Sequence, residues 1–416
     1  MDKDTLKQII LEQKEWFEKE LEIVQRALPE NTFKTKKIVI ITGIRRCGKS
    51  TLLKQISKKY KDFAYFNFED ERLLDFTYKD FNTLLEIFLE LNQSNKTFFF
   101  DEIQIIEGWE KFARRMFNEN YKLFITGSSA NLLSSEIATS LTGRNIKIEL
   151  YPFSFREYLV YNKFSIKKTF TTTEKAKISE YLNEYLKYGG FPEVVLTKDF
   201  EELSQIYQDI IIKDLLVRFR IRDTKDFREL ALYLLSNSSN KISFNNLKNL
   251  LKFSNTSKVK NYIEFLQEAY LFFTLFIYDP SVKKQIINDR KIYSIDPGII
   301  NAIAFRFSEN EGRLLENVVF LELLRQKREL YYHQDKKECD FLLKEGTNIT
   351  GAIQVTASLT NPKTKEREIS GLIEAINKYG LMKGFIITRT EDKKMEFEGK
   401  AIKIIPLWKF LLFGLE

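Results

Sequence analysis

Between Lys37 and Leu150 the chain repeats one pattern five times: a short apolar, β-branched or aromatic run, then a stretch with helical spacing. The runs are KIVIIT, FAYFNF, KTFFFD, YKLFIT and IKIEL. A strand with one face in water alternates apolar and polar residues, whereas these runs are apolar on successive positions, as strands covered on both faces are. Strands of that kind separated by helices read as a parallel sheet flanked by helices. The expectation is therefore an α/β fold with five parallel strands.

The first run leads straight into Gly43-Ile44-Arg45-Arg46-Cys47-Gly48-Lys49-Ser50, with Thr51 next and a helical pattern from Lys49 through Tyr60. This is the spacing G-x-x-x-x-G-K-[ST]. A glycine-rich turn between a strand and a helix aims backbone N–H groups and the positive helix end at one point, which suits phosphate oxygens. Lys49 would reach the β- and γ-phosphates and the Ser50 hydroxyl would bind Mg²⁺, while Gly43 and Gly48 permit backbone geometry that a Cβ obstructs. A plain glycine turn is the competing reading; the flanking strand and helix weigh against it.

A metal and an attacking water need an acidic partner across the sheet. Phe98-Phe99-Phe100-Asp101-Glu102 supplies one: an apolar strand ending in two acids, Asp101 for the Mg²⁺ shell and Glu102 to polarise the water. Without the glycine loop these would read as acids capping a turn. YKLFIT ends in Gly127-Ser128-Ser129-Ala130, where Ser128 either contacts the γ-phosphate or the water, or caps a helix running to Leu132. Arg144, in Leu141-Thr142-Gly143-Arg144, is either a cation for a γ-phosphate or an ordinary surface arginine.

GIRRCGKST, FFFDEIQ, ITGSSA, LTGR and YPFSFREYL, in this order, resemble a family of bacterial and archaeal AAA-type ATPases. The resemblance covers nearly the whole chain, and YLKYGGFPEVV and KIYSIDPGI look like hallmarks of that family's C-terminal region. It implies ATP, not another nucleotide, as ligand. It also implies phosphate and metal binding by Gly43, Gly48, Lys49 and Ser50, and Mg²⁺ and water contacts by Asp101 and Glu102; Arg144 matches by position only. Similarity to the broader AAA and STAND class implies an added strand, YKLFIT, between the glycine-loop strand and the Asp101 strand.

At 416 residues the chain is too long for one ordinary core. The expected division is an N-terminal helix over 1–30, a P-loop domain over 31–155, a helical region over 156–225, a winged-helix-like domain over 226–305 and a small α/β domain over 306–416. The first helix is expected from Asp2 to about Leu28, with Leu6, Ile9, Ile10, Phe17, Leu21 and Val24 on its apolar face. Helices dominate from Pro152 to Arg222, broken at Gly189, Gly190 and Pro192. Lys241 to Ala269 reads as helix, turn, helix, with Ser254 or Thr256 as cap and Lys258 and Lys260 near the start of the second helix. The strand-like runs LFFTLFIY and RKIYSID follow. The set resembles a winged helix, which binds duplex DNA or another protein, or packs between neighbouring domains.

From Glu311 a helix carrying Glu316, strands LYYHQ, ECDFLL and GAIQVT, a helix and strand GFIIT resemble a restriction-endonuclease-like core. Active members place an Asp before an acid-x-Lys pair around Mg²⁺. Asp340 fits, but the second position reads Gln354-Val355-Thr356, which lacks the acid and the lysine, so an inactive fold that packs or binds is the expectation.

Cys47 and Cys339 have no partner spacing for a disulfide framework or a zinc site. Cys47 lies inside the glycine loop, either oxidisable or simply small. The longest apolar stretch, Ala269 to Tyr278, is shorter than the roughly 18 residues of a membrane span. With no secretory pattern at the N-terminus, a cytoplasmic location without a membrane partner is expected. The net charge of +8 suits an acidic partner such as DNA, but basic and acidic residues are mixed throughout. The leading expectation is Mg²⁺-dependent ATP hydrolysis that repositions the C-terminal domains, alone or in an oligomer. The alternatives are an ATP-gated switch with little hydrolysis and an ATPase-linked nuclease.

Overall fold

Runs apolar at both parities form the centre of the first sheet. In the computed structural model, which describes residues 1–20, 23–130, 141–304 and 311–415, they are β1 Ile38–Gly43, β2 Ala64–Asn67, β3 Thr97–Asp101, β4 Lys122–Gly127 and β5 Asn145–Leu150. All pairs are parallel and the order is β2-β3-β4-β1-β5, so β4 lies between the glycine-loop strand and the Asp101 strand. Phe98 and Phe100 enter one core with Ile38, Ile40, Phe66 and Ile125. Phe99 points to the other face and stacks on Phe124, ring centroids 4.9 Å apart.

The chain divides after Tyr151 into two units, Met1–Tyr151 and Pro152–Glu416. In the first, α1 (Lys3–Glu18) is capped by Asp2 and buries Leu6, Ile9, Ile10 and Phe17. It stops well short of the expected Leu28. Glu15, Glu18 and Glu20 gather at its C-terminal end, where the helix dipole disfavours acids, and its last turn has no basic residue. Leu21 lies outside the described residues, and Val24 is in irregular chain. The helix after the glycine loop, α2 (Lys49–Ser57), ends before Tyr60.

The second unit begins with α3 (Phe155–Tyr161), α4 (Thr172–Tyr188), α5 (Pro192–Thr197), α6 (Phe200–Asp209), a π-helical stretch Ile210–Val217 and α7 (Thr224–Ser236). The block expected to be wholly helical after that opens with a strand, β6 (Lys241–Ile242), because Ile242 is buried and the segment pairs with β8 (Arg290–Ser294). Two helices, α8 (Phe244–Leu250) and α9 (Thr256–Glu268), separate β6 from β7 (Phe272–Leu275), and the antiparallel order is β6-β8-β7. The cap of α9 is Asn255, whose side chain accepts from the Lys258 N–H, and not Ser254 or Thr256. Lys258 is held by Asp223 and Asp226 at 2.7 and 2.8 Å, and Lys260 lies over the Phe244 ring.

After α10 (Pro297–Ile303) come α11 (Glu311–Arg325), β9 (Glu329–Gln334), β10 (Glu338–Glu345), β11 (Asn348–Val355), α12 (Pro362–Lys378) and β12 (Lys383–Thr388). A hairpin, β13 (Lys393–Phe397) and β14 (Lys400–Pro406), completes the six-stranded order β13-β14-β12-β11-β10-β9. β11, β12 and β14 run parallel; the other pairs are antiparallel. Among the described residues no helix is long and apolar enough to cross a membrane.

One joint explains the two glycine motifs of this unit. Helix α4 ends at Gly189, φ +78°, and the Gly190 N–H donates to Asp296 Oδ2 at 2.7 Å. Asp296 Oδ1 accepts the Gly298 N–H at 2.8 Å and so caps α10. A Cβ on Gly190 would lie 2.2 Å from the Phe153 carbonyl oxygen, so only glycine fits. Burial raises the Asp296 carboxyl to about 7 although three backbone N–H groups pull it down. The unfolded chain gives up this proton near pH 4 and the native state keeps it to about 7, so the contribution of Asp296 to stability falls as pH rises through that window and is flat above it. Urea unfolding from pH 4 to 8 should show a steeper decline for the wild type than for Asp296→Asn; coincident slopes would disprove the shift. Gly190→Ala should cost about 2–4 kcal/mol at any pH in the same assay.

A candidate nucleotide site at the carboxyl edge of the parallel sheet

Where β1 ends, the backbone is held too closely to admit a side chain: a Cβ on Gly43 would lie 2.1 Å from the Leu150 carbonyl oxygen of β5. The turn uses left-handed conformations at Arg46, φ +63°, and Gly48, φ +96°. Gly48 is the N-cap of α2, so the free N–H groups of the first helical turn open onto the loop. Ile44 and Cys47 are fully buried, and burial pushes the Cys47 thiol above its ordinary pKa, away from the reactive thiolate. Thr51 is exposed. Arg45 pairs with Glu69 at 2.8 Å.

Lys49 is 5% exposed and turns back over the loop, with Nζ 3.3 Å from the Gly43 oxygen, 3.4 Å from the Ile44 oxygen and 3.1 Å from Glu102 Oε1. Burial opposes the ammonium, but Glu102 first, with Cys47 and Asp101, outweighs it and holds the pKa above the ordinary lysine value. Burial likewise opposes the Glu102 carboxylate, and Lys49 with Gln104 prevails, so Glu102 stays below the usual carboxylate range. Asp101 goes the other way. Burial and the neighbouring Glu102 raise it against the hydroxyls of Ser50 and Thr126. The acidic pair is thereby split, as adjacent carboxylates in a dry site are.

Asp101 is the last residue of β3, and Glu102 leaves the strand in a left-handed conformation, φ +51°. That turn sends its carboxylate towards α2. Thr126, near the end of β4, ties the two acids together: its Oγ1 accepts the Glu102 N–H at 2.9 Å and its hydroxyl donates to Asp101. Tyr65 donates to Asp101 Oδ2 at 3.1 Å. Ser128 follows Gly127, the register partner of Thr42, so it stands beside Gly43 and is buried. The helix that it would cap towards Leu132 lies outside the described residues.

Arg144 is not gathered into this group. In the parallel register Asn145 faces Ile38 while Leu150 faces Gly43, which puts Arg144 at the opposite edge of the sheet, roughly 20 Å along β5 from the loop. Its guanidinium contacts the Thr142 oxygen. Spacing along the chain brought it to the right domain; strand direction took it to the wrong end for its own site.

Thr126, Tyr65, Gln104 and Arg26 were missed in the sequence. A lone threonine closing an apolar strand was a usable signal for Thr126. Arg26 gave none, since it lies in irregular chain and works through carbonyls, donating to the Cys47 oxygen at 3.1 Å and to that of Tyr151 at 2.5 Å. In the second unit Glu316 and Asp340 do meet, around Lys291, and the Gln354 amide is engaged with the Asp340 N–H and with Glu368. Among the described residues no group of three His, Cys, Asp or Glu side chains is arranged to hold a metal ion.

Residues 35–159 match a family model described as an AAA domain, and with the five-stranded parallel sheet this makes the first unit a P-loop fold of the AAA type. Residues 179–310 and 311–410 match two models described as domains of unknown function, DUF8612 and DUF4143. The chain is 42% identical over 397 residues to uncharacterized protein MJ1544 of Methanocaldococcus jannaschii, spanning 90% of this chain and 88% of that one. An uncharacterized protein of Haemophilus influenzae is 30% identical, with 89% and 94% covered. The chain belongs to the family that these relatives represent. Among solved structures, domain III of the Thermotoga maritima replication initiation protein DnaA is similar at TM-score 0.24 and 17% identity, over 35% of this chain and 75% of that one. The S. cerevisiae Hsp104:casein complex is similar at TM-score 0.29 and 11% identity, over 68% and 61%.

Arg26 bonds the loop to the end of β5 from a buried position, so Arg26→Ala should lower the stability of the protein by about 2 kcal/mol in chemical denaturation. An unchanged midpoint would show that those two carbonyls find water instead.

Proposed function

We propose that this chain binds ATP with Mg²⁺ in the loop Gly43–Thr51 and hydrolyses it, and that the resulting change is passed to the C-terminal unit. The observation that carries the reading is a buried ammonium, Lys49, 3.1 Å from one of two buried acids at the carboxyl edge of a parallel sheet. A cation, helix N–H groups and acids of split pKa in one place form a set that suits a triphosphate and little else.

The donor set fits Mg²⁺. Ser50 and Asp101 offer hard oxygens already within hydrogen-bonding reach of each other, and these two side chains would hold the ion. Bound there, Mg²⁺ draws charge from the phosphate oxygens. The loop N–H groups hold the phosphate chain, and Lys49 exchanges Glu102 for β- and γ-oxygens. Glu102, released, accepts a proton from the water that attacks the γ-phosphorus while the bond to the bridging oxygen breaks, giving ADP and inorganic phosphate. Thr126 keeps Asp101 and Glu102 in register, and Ser128 lies near enough to contact the γ-phosphate or the water. Arg144, at the far edge, can serve only the site of a second copy, which ties that residue's role to an oligomer.

In the second unit the order helix, strand, two helices and two antiparallel strands joined through a short helix, Val282–Ile287, with sheet order β6-β8-β7, supports a winged-helix reading of residues 226–305. A protein partner is favoured over duplex DNA, because Lys258 is tied to Asp223 and Asp226 and Lys260 lies on Phe244. The succession α11-β9-β10-β11-α12-β12 supports the endonuclease-like reading of residues 306–416 as a fold, without its chemistry.

Lys49→Ala should abolish ATP binding in calorimetry. Glu102→Gln should bind ATP at least as tightly as the wild type, since Lys49 no longer has a carboxylate to leave, and turn it over roughly 10²–10⁴-fold more slowly. Equal phosphate release by all three proteins would refute hydrolysis at this site. Tight binding with no multiple turnover in the wild type would favour the ATP-gated switch.

A further inference from the structure

Three carboxylates of the second unit close around one lysine. Lys291, on β8, is 1% exposed, and its Nζ lies 2.9 Å from Glu316 Oε1 of α11, 2.7 Å from Glu338 Oε1 and 2.8 Å from Asp340 Oδ1, both of β10. Glu316 and Asp340 accept hydrogen bonds from the ammonium, and Glu338 completes the ring of ion pairs. Further partners hold the acids in place. The Tyr293 hydroxyl donates to Glu316 at 2.7 Å, the Val355 N–H to Asp340 Oδ2 at 2.9 Å, and Lys241 pairs with Glu338 Oε2 at 2.8 Å. Gln354 has its carbonyl on the Asp340 N–H and its amide on Glu368.

Nothing in the composition of β8 requires a lysine there: its neighbours Ile292, Tyr293 and Ser294 are all buried. A charge placed in such a position costs several kcal/mol unless opposite charges surround it, and acids so placed are equally costly without a cation. The acids and the lysine therefore explain one another. They also sit at the distances of an ammonium, 2.7 to 2.9 Å, and not at the roughly 2.3–2.6 Å of a calcium-sized ion among the same oxygens.

We infer that the Lys291 ammonium is the resident cation of this acidic centre. It fills from within the chain the place that a divalent ion would take, and it closes the centre to metal-dependent chemistry. The centre is a cation site by construction and is occupied by covalent attachment. Binding of a divalent ion requires the lysine to leave, and its ammonium lies over the Tyr332 ring as well, 6.0 Å from the centroid. The inference is independent of nucleotide and of the function proposed for the first unit.

The test uses the full chain without nucleotide and terbium(III), an oxygen-seeking ion of calcium size whose emission is excited by a tyrosine close to it; Tyr293 is that tyrosine. The wild type should give no emission that depends on Asp340. Lys291→Met, which keeps the stem and removes the charge, should bind one ion at this centre with a Kd of roughly 10⁻⁴–10⁻³ M, as a site with few protein oxygens does. The signal should be lost in Lys291→Met/Asp340→Asn and strongly reduced in Lys291→Met/Tyr293→Phe. Lys291→Met alone should melt at a lower temperature than the wild type, and either added Ca²⁺ or a second change, Glu316→Gln, should recover part of the loss. Emission from the wild type that disappears in Asp340→Asn would overturn the inference. So would a folded Lys291→Met, or the refolded double variant Lys291→Met/Glu316→Gln, that shows neither emission nor a melting shift with Ca²⁺.

Discussion

Lys49, Asp101 and Glu102 share a space nearly without water, and ions in such a place are tolerated only when each has a partner held in position. The parallel sheet provides that position. Strand β3 ends with Asp101, the left-handed turn at Glu102 swings the second acid towards the lysine, and Thr126 of the next strand fixes the spacing of both. Inserting β4 between β1 and β3 is what brings Thr126 within reach; with β1 and β3 adjacent, that hydroxyl would have no place between the acids. The rest of the first unit serves this edge. Its aromatic layers, Phe98 and Phe100 on one face and Phe99 on the other, secure the strands that carry the charges.

How much of this could be read from residues alone depends on whether the signal was local. The five strands were legible because burial on both faces leaves an unbroken apolar run, and the glycine loop because its spacing has a backbone reason. Asp101 and Glu102 followed from lying at the end of such a run. Where Arg144 lies is a matter that local pattern does not contain: its distance from the loop is set by the direction and register of β5. Arg26 and Tyr65 were invisible in the same way, since each acts across the fold from a segment with no motif of its own. The strand β6, two residues long, was lost in a helical block because only its pairing with β8 defines it.

The second unit repeats the lesson with a different outcome. Glu316 and Asp340, both named in the sequence, meet in the structure, while Gln354-Val355-Thr356 brings neither an acid nor a lysine. The lysine that actually meets the acids comes from earlier in the chain, at position 291, where nothing in the residues around it marks it out. Both units thus centre on a buried lysine among acids, but with opposite prospects. Lys49 has one carboxylate and two carbonyls, partners that phosphate can replace; Lys291 is ringed by three carboxylates.

The joint at Gly189-Gly190 bears on how the polypeptide is made. Its key acceptor, Asp296, is 106 residues further along than the glycine it holds. On a ribosome, the end of helix α4 emerges long before the side chain that completes its turn exists. The turn that ends this helix therefore cannot close on its acceptor until the 290s have been synthesised, which makes the joint a late contact of the second unit.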